Sequence, residues 1–388
     1  MTYRRVALLA ALILVVVPLR SAPVVHAAER FTTRFTPAIP ITLPIPQSAD
    51  PNAITFANVL DHVSEIPTVA WTRVQKTIAA NTPVTPKIKI FTGPNTLYDI
   101  IGGEGRINQV IKRTARLWSG FAQVRTVTVI THNYQDLEWA KSKWRSIVRS
   151  RNYPQYNEYR VNNFVQNCQG TLCNGANAGP TDGTGSGLIA LGQTGDSSDP
   201  FIQLGGVVSH EYSHVVQGSQ WLGFNGCRFA GKPCTPQGGW SNRFSACWLN
   251  EGLVNSTGNM VAAEELSDFL AWNKAKYYGW GPTTATDYSQ PSLFNYLFKS
   301  GTVDDCKSPT DVNDDVYVLG YSVGAAAAEA LIAIAGPQSL MALFARGAAG
   351  DSFARAFKSV YGITWKSGAT ILSKVLAAQY AEVGPPPF

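Results

Sequence analysis

The stretch Leu204-Gly-Gly-Val-Val-Ser-His210-Glu211-Tyr-Ser-His214-Val-Val-Gln-Gly-Ser-Gln-Trp221 decides how the chain is read. Val207, Val208, Val215 and Val216 recur at helical spacing, which predicts one helix across the segment. On a helix, residues i and i+4 share a face, so the imidazoles of His210 and His214 can reach one ion. Glu211 can then turn its carboxylate toward a water beside that ion, the general-base place in an H-E-x-x-H helix. Zinc suits such a site, with three protein ligands and an open fourth position when the site is catalytic.

A third ligand has to come from elsewhere. A metzincin needs Gly and His at the third and sixth positions after His214, where this chain has Gln217 and Gln220. Asp304, in Gly301-Thr-Val-Asp304-Asp305, lacks the tyrosine and glycine expected after an aspartate ligand. Glu251, in Trp248-Leu-Asn-Glu251-Gly-Leu253, opens a second amphipathic helix that could hold its carboxylate against the first. An acidic residue there also complements the helix macrodipole, a purely structural role.

The surrounding pattern predicts an α+β fold. Residues 28 to about 55 read as an extended arm rich in Pro and Thr. Helices over Val69–Ala80, Ile107–Trp118 and Gln135–Arg149 alternate with strands at Lys87–Phe91 and Arg125–Thr131. A loop over Asn162–Gly187 leads to a strand at Gly187–Gly192. Beyond residue 203 the segments are mostly helical: Leu204–Trp221, Trp248–Glu265, Asp268–Tyr278, Gly320–Ala335, Ser339–Arg346, Ser352–Tyr361 and Gly368–Tyr380. The expected division is a signal peptide (1–27), an N-terminal α/β subdomain with a mixed sheet (28–200), and the zinc helix with a mainly helical subdomain (201–388).

His210-Glu211-x-x-His214 followed by Trp248-Leu-Asn-Glu251-Gly-Leu253 resembles the gluzincin metallopeptidases of the peptidase MA-like superfamily. The similarity continues through Tyr321-Ser-Val-Gly324, an Ala-rich helix ending at Gly336, and Ser352-Phe-x-x-Ala356-Phe-x-x-x-Tyr361-Gly362. It spans roughly residues 187–375 and implies a zincin-like fold. It further implies one zinc held by His210, His214 and Glu251, with Glu211 as general base and a peptide or protein as substrate. A tyrosine on the helix after the glutamate ligand would stabilise the oxyanion; Tyr321 is the candidate and Tyr317 its rival. The strand Leu188–Gln193 would be the sheet edge that pairs with an extended substrate. Departures from the family are the 36 residues between His214 and Glu251, Asn255 in place of a frequent acid, and no Gly-x-Met-Glu-Asn segment before the helix.

Compartment and charge narrow the reading. MTYRR, the apolar run Val6–Val17 and Val25-His26-Ala27 form a secretory signal, so a secreted chain with no membrane span after cleavage is expected. Six cysteines without a C-x-x-C pair fit disulfides there, with Cys168–Cys173, Cys227–Cys234 and Cys247–Cys306 the expected pairs. Removing Arg4, Arg5 and Arg20 lowers Lys+Arg from 32 to 29 against 26 acids, so the net charge falls from +6 to +3. That excludes an electrostatic footprint for nucleic acid. Asp311-Val-Asn313-Asp314-Asp315 carries calcium-like ligands but lacks the glycine and distal glutamate of an EF-hand. Two functions remain: a secreted zinc peptidase, or an extracellular zincin-fold protein that binds zinc and a partner without turnover. The oligomeric state and the choice between endo- and exopeptidase are left open.

Overall fold

The computed structural model describes residues 28–30, 40–46, 50, 52–98, 100–148, 168–173, 175–180, 185–192, 200–221, 228–229, 232–233, 240–273, 287–300 and 318–383. The signal segment, Tyr317, the Asp311–Asp315 run, Asp304 and the cysteines 227, 234 and 306 lie outside these residues.

A short antiparallel pair, β1 (Ala28–Arg30) and β2 (Pro40–Thr42), stands within the arm. A 3-10 turn (Val59–Glu65) and α1 (Ile66–Ala80) precede β3 (Lys87–Thr92); α2 (Gly103–Leu117), β4 (Thr126–His132) and α3 (Leu137–Val148) follow. The hairpin β5 (Cys168–Gln169) and β6 (Leu172–Cys173) leads into β7 (Gly175–Pro180) and β8 (Ser186–Gly192). Next come α4 (Pro200–Gln203), α5 (Gly206–Ser219), the pair β9 (Arg228–Phe229) and β10 (Lys232–Pro233), α6 (Trp240–Phe244), α7 (Cys247–Ala262), α8 (Leu266–Asn273) and α9 (Gln290–Lys299). A π-helical turn (Gly320–Gly324) opens the last group: α10 (Ala325–Ala335), α11 (Gln338–Ala348), α12 (Phe353–Tyr361) and α13 (Trp365–Val383). The fold is thus mixed α/β, as an α+β reading requires.

The sheet order is β3-β4-β8-β7, with β3, β4 and β8 parallel and β7 antiparallel to β8. Strand alternation sorts its two faces. Val127, Val129, Ile189 and Leu191 join the main core with α1, α2 and α5, whereas Ile130, Leu188 and Ala190 pack under Ala140 and Trp144 of α3. β8 is buried on both faces, which explains its unbroken apolar run. The expectation that this strand is the sheet edge is corrected: β8 lies between β4 and β7, and the edges are β3 and β7. β7 escaped prediction because Gly175-Ala-Asn-Ala-Gly-Pro180 has neither the bulk nor the β-branching of a strand; its partner strand imposes the conformation.

Helix ends shift by a few residues from the sequence expectations, as frayed ends do. Two differences are larger. The segment expected as one helix from Gly320 begins with a π turn, and α9 was not anticipated. The helix expected at Asp268–Tyr278 is observed as Leu266–Asn273, its later part lying outside the described residues. Cys168 and Cys173 form the expected disulfide across β5 and β6. Cys247 is also disulfide-bonded, with its partner outside the described residues. Among the described residues no single helix is long and apolar enough to cross a membrane.

Candidate metal centre

The H-E-x-x-H helix, α5, is fixed on its rear face before any ligand is considered. Thr114 Oγ1 donates to Ser209 Oγ (2.8 Å), Trp118 Nε1 to Ser213 Oγ (2.9 Å) and Tyr212 Oη to Gln123 Oε1 (2.9 Å). These bonds run to α2 and the turn after it, so the residues interleaved with the motif orient it. Gly205, at φ +86°, supplies the left-handed turn that starts α5. Arg106 of α2 donates to the carbonyls of Leu204 (3.0 Å) and Ala262 (2.6 Å), tying that turn to the last turn of α7.

α7 crosses α5 and brings Glu251 to the two histidines. Gly252 makes the packing of α7 on the π turn possible: a Cβ there would lie 2.3 Å from the carbonyl carbon of Gly324. On the other side, a Cβ at Gly258 would lie 2.9 Å from the carbonyl oxygen of Gly206 and 3.2 Å from the amide nitrogen of His210. Glycines therefore set how near α7 comes to both neighbours.

The resulting donor set is compact. His210 Nε2 and His214 Nε2 are 3.2 Å apart, and Glu251 Oε2 is 3.4 Å from the first and 3.2 Å from the second. A tetrahedral ion with bonds of about 2.05 Å separates its ligand atoms by ~3.3 Å. The three atoms therefore match one face of the coordination tetrahedron of a small metal ion. His210 and Glu251 are buried, at 5% and 4% exposure, and His214 nearly so. Burial alone would disfavour charge on His214 and on Glu251. The carboxylate outweighs it and holds His214 up to about 9, while the histidines hold Glu251 well below the usual carboxylate range. Such a cluster is stable with a positive charge in its midst, which a divalent cation supplies. The buried His and Glu side chains can hold a metal ion.

The other candidates surround this trio. Glu211 Oε1 lies 3.9 Å from His210 Nε2. The Tyr321 ring lies parallel to the His210 ring at 5.9 Å, and Phe201 meets the same imidazole edge-on at 6.0 Å. Asn255, which stands where the family often has an acid, donates to the Tyr321 carbonyl (2.7 Å) and so pins the π turn.

Sequence reasoning missed two participants. Gln217 Oε1 accepts from His214 Nδ1 at 2.8 Å while its Nε2 donates to the Asn250 carbonyl at 3.1 Å. That bond fixes His214 with Nε2 facing the other ligands. The signal was its place one turn after His214, noticed only as a position where another family has glycine. Tyr296 of α9 was also unseen; burial, then the charge of Glu251, raises its phenol above the ordinary range. No local motif marks it, because α9 lies far from Glu251 along the chain. His132, at the end of β4, belongs to a separate group; burial pushes its imidazole down to about 4 against the opposing charge of Asp136.

No protein-family model, curated protein or solved structure matches this chain, so the geometry of the site carries the functional reading by itself.

Proposed function

We propose that this chain is a secreted zinc-dependent peptidase of the gluzincin type, hydrolysing peptide bonds with Glu211 as general base. The observation that carries the reading is the spacing of 3.2–3.4 Å among the three ligand atoms, beside a second buried carboxylate, that of Glu211. Zinc held by His210, His214 and Glu251 would supply Lewis acidity, lowering the pKa of water to about 7 and polarising a carbonyl. The Glu211 carboxylate takes the proton of the attacking water and passes it to the leaving amine nitrogen. Tyr321, on the turn that Asn255 holds, is the side chain proposed to donate a hydrogen bond to the developing oxyanion. Gln217 keeps His214 in the required tautomer. The edge strand β7 packs against α5 and is the strand proposed to receive an extended peptide by strand addition. The Cys168–Cys173 disulfide is compatible with secretion.

The test combines metal analysis with a peptide-library assay on the purified chain. The wild type is expected to hold about one zinc and to cleave peptides. Glu211→Gln is expected to keep the zinc and to lose at least about 100-fold in turnover. Undiminished turnover in Glu211→Gln overturns the assigned base, and no zinc after reconstitution overturns the whole reading. Stoichiometric zinc without any cleavage would instead favour a zinc-binding partner protein.

A further inference from the structure

The end of β4 carries a second group of metal-binding side chains, separate from the trio on α5 and α7. His132, Cys168 and Cys173 each place a ligand atom within 4.8 Å of the others. We propose that these three residues form a redox-gated second metal site, a Cys2His centre that takes a soft divalent cation such as zinc once the Cys168–Cys173 disulfide is reduced.

Strand register builds the place for it. His132 is the last residue of β4 and stands opposite Gly192 of β8, which in turn stands opposite Gly175 of β7. Neither neighbour in that row has a side chain, so the disulfide hairpin can lie against the imidazole. His132 and Cys173 are fully buried, whereas Gly170, Thr171 and Leu172 at the hairpin tip are exposed and Cys168 is half-buried. A reductant therefore has access to the sulfur pair from one side, while the imidazole closes the other. Zinc–sulfur bonds of about 2.3 Å put two thiolates ~3.8 Å apart in a tetrahedron, so the sulfurs, bonded to each other in the oxidised hairpin, move apart on reduction to bind the cation.

The chemistry balances. Two molecules of a thiol reductant give two electrons and two protons to the disulfide, leaving two cysteine thiols and one reductant disulfide. The cation then displaces the two thiol protons to solvent and binds two thiolates and the imidazole. While the disulfide stands, neither sulfur is a thiolate and the site is closed. Only residue 174 separates Cys173 from β7, so the group anchors the start of the edge strand to the end of β4. In the oxidised protein the covalent hairpin makes that anchor; in the reduced protein the cation does.

Cobalt(II) added to the full-length protein, with and without a phosphine reductant, tests the proposal. Thiolate-to-cobalt charge-transfer absorption is blind to the His2Glu trio, which contains no sulfur, and a cysteine-pair variant separates this site from the other four cysteines of the chain. The reduced protein is expected to show these bands, and the oxidised protein to show none. The double variant C168S/C173S, which keeps the other four cysteines, is expected to lose them under reduction. H132A, with both cysteines in place, is expected to bind at least about tenfold more weakly, the least that even an outer-sphere loss costs. Absent bands in the reduced wild type, bands undiminished in C168S/C173S, or full affinity in H132A would each overturn it. None of these results bears on peptidase activity, so the two proposals fail separately.

Discussion

Gly252→Ala is a one-methyl change with consequences for both the fold and the metal site. The added Cβ would stand 2.3 Å from the carbonyl carbon and oxygen of Gly324 and 2.8 Å from its Cα. Non-bonded carbon contacts settle at about 3.5–4.0 Å, so the deficit exceeds ~1 Å. The obstacle is backbone, which has no alternative rotamer, and α7 must move away from the π turn. Overpacking of this kind costs ~3 kcal/mol at the upper end of its usual range, against ~1 kcal/mol gained from alanine's helix propensity. The net loss is about 2 kcal/mol. An unfolding entropy of about 2.1 cal/mol/K per residue over 388 residues is ~0.8 kcal/mol/K, so Tm falls by ~2–3 °C. The site suffers more than the fold does. Glu251 moves with α7, and a shift of ~1 Å stretches Oε2 contacts of 3.2 and 3.4 Å beyond what one small ion can bridge. Losing the fixed placement of one ligand should cost at least the ~10–100-fold in metal affinity that losing a supporting partner does. Calorimetry and zinc competition against a chromophoric chelator would measure both effects. Gly105→Ala is the control: nothing lies within 4 Å of its Cβ, and it should be neutral or stabilising by up to ~1 kcal/mol. If Gly252→Ala matches wild type in both Tm and zinc affinity, the close crossing does not set the geometry of the site.

The other expectations concern single side chains. Gln217→Ala frees His214 Nδ1 from its 2.8 Å partner and should weaken metal binding by ~10–100-fold in a chelator titration, with the fold retained. Unchanged affinity would reduce Gln217 to a packing role. Tyr321→Phe keeps the ring stacked on His210 and should lower kcat by ~100-fold or more with little change in zinc content; normal kcat would remove Tyr321 from the proposed mechanism. His132 titrates at about 4 in the oxidised fold against an ordinary value of 6.5. A depressed folded value means that its contribution is whole above about pH 6.5 and is lost as the pH falls through 4. The difference of 2.5 units amounts to ~3 kcal/mol. Denaturant melts of His132→Gln should show a shallower acid loss than wild type between those limits, and identical slopes would mean that the imidazole charges without cost.

What could be read in advance follows the range of the interactions. His210 and His214 are four residues apart on one helix, so helical geometry alone puts their rings on a common face. Most helices after residue 200, α6 and α9 excepted, announce themselves through apolar periodicity and stops such as Gly336-Pro337. Cys168 and Cys173 were paired correctly because five residues leave little choice but a hairpin. Glu251 was a candidate by motif, yet its distance from the histidines depends on Gly252 and Gly258, whose role is visible only where another backbone passes within van der Waals contact.

Strand order was misread for a related reason. The buried run at Leu188–Leu191 records that β8 is covered on both faces, and says nothing of which strands flank it. The edge on that side is instead β7, a Gly- and Ala-rich segment with no strand signal of its own. Gln217 and Asn255 carry amides that can bond in many directions, and only the packed helices select His214 for one and the Tyr321 carbonyl for the other. The sequence by itself therefore determined which side chains share a helix face and where apolar stripes demand burial, because those depend on neighbours within about one turn. Tertiary structure alone decided the edge strand, the approach of Glu251 and the partners of the supporting amides, because each depends on contacts between segments far apart along the chain.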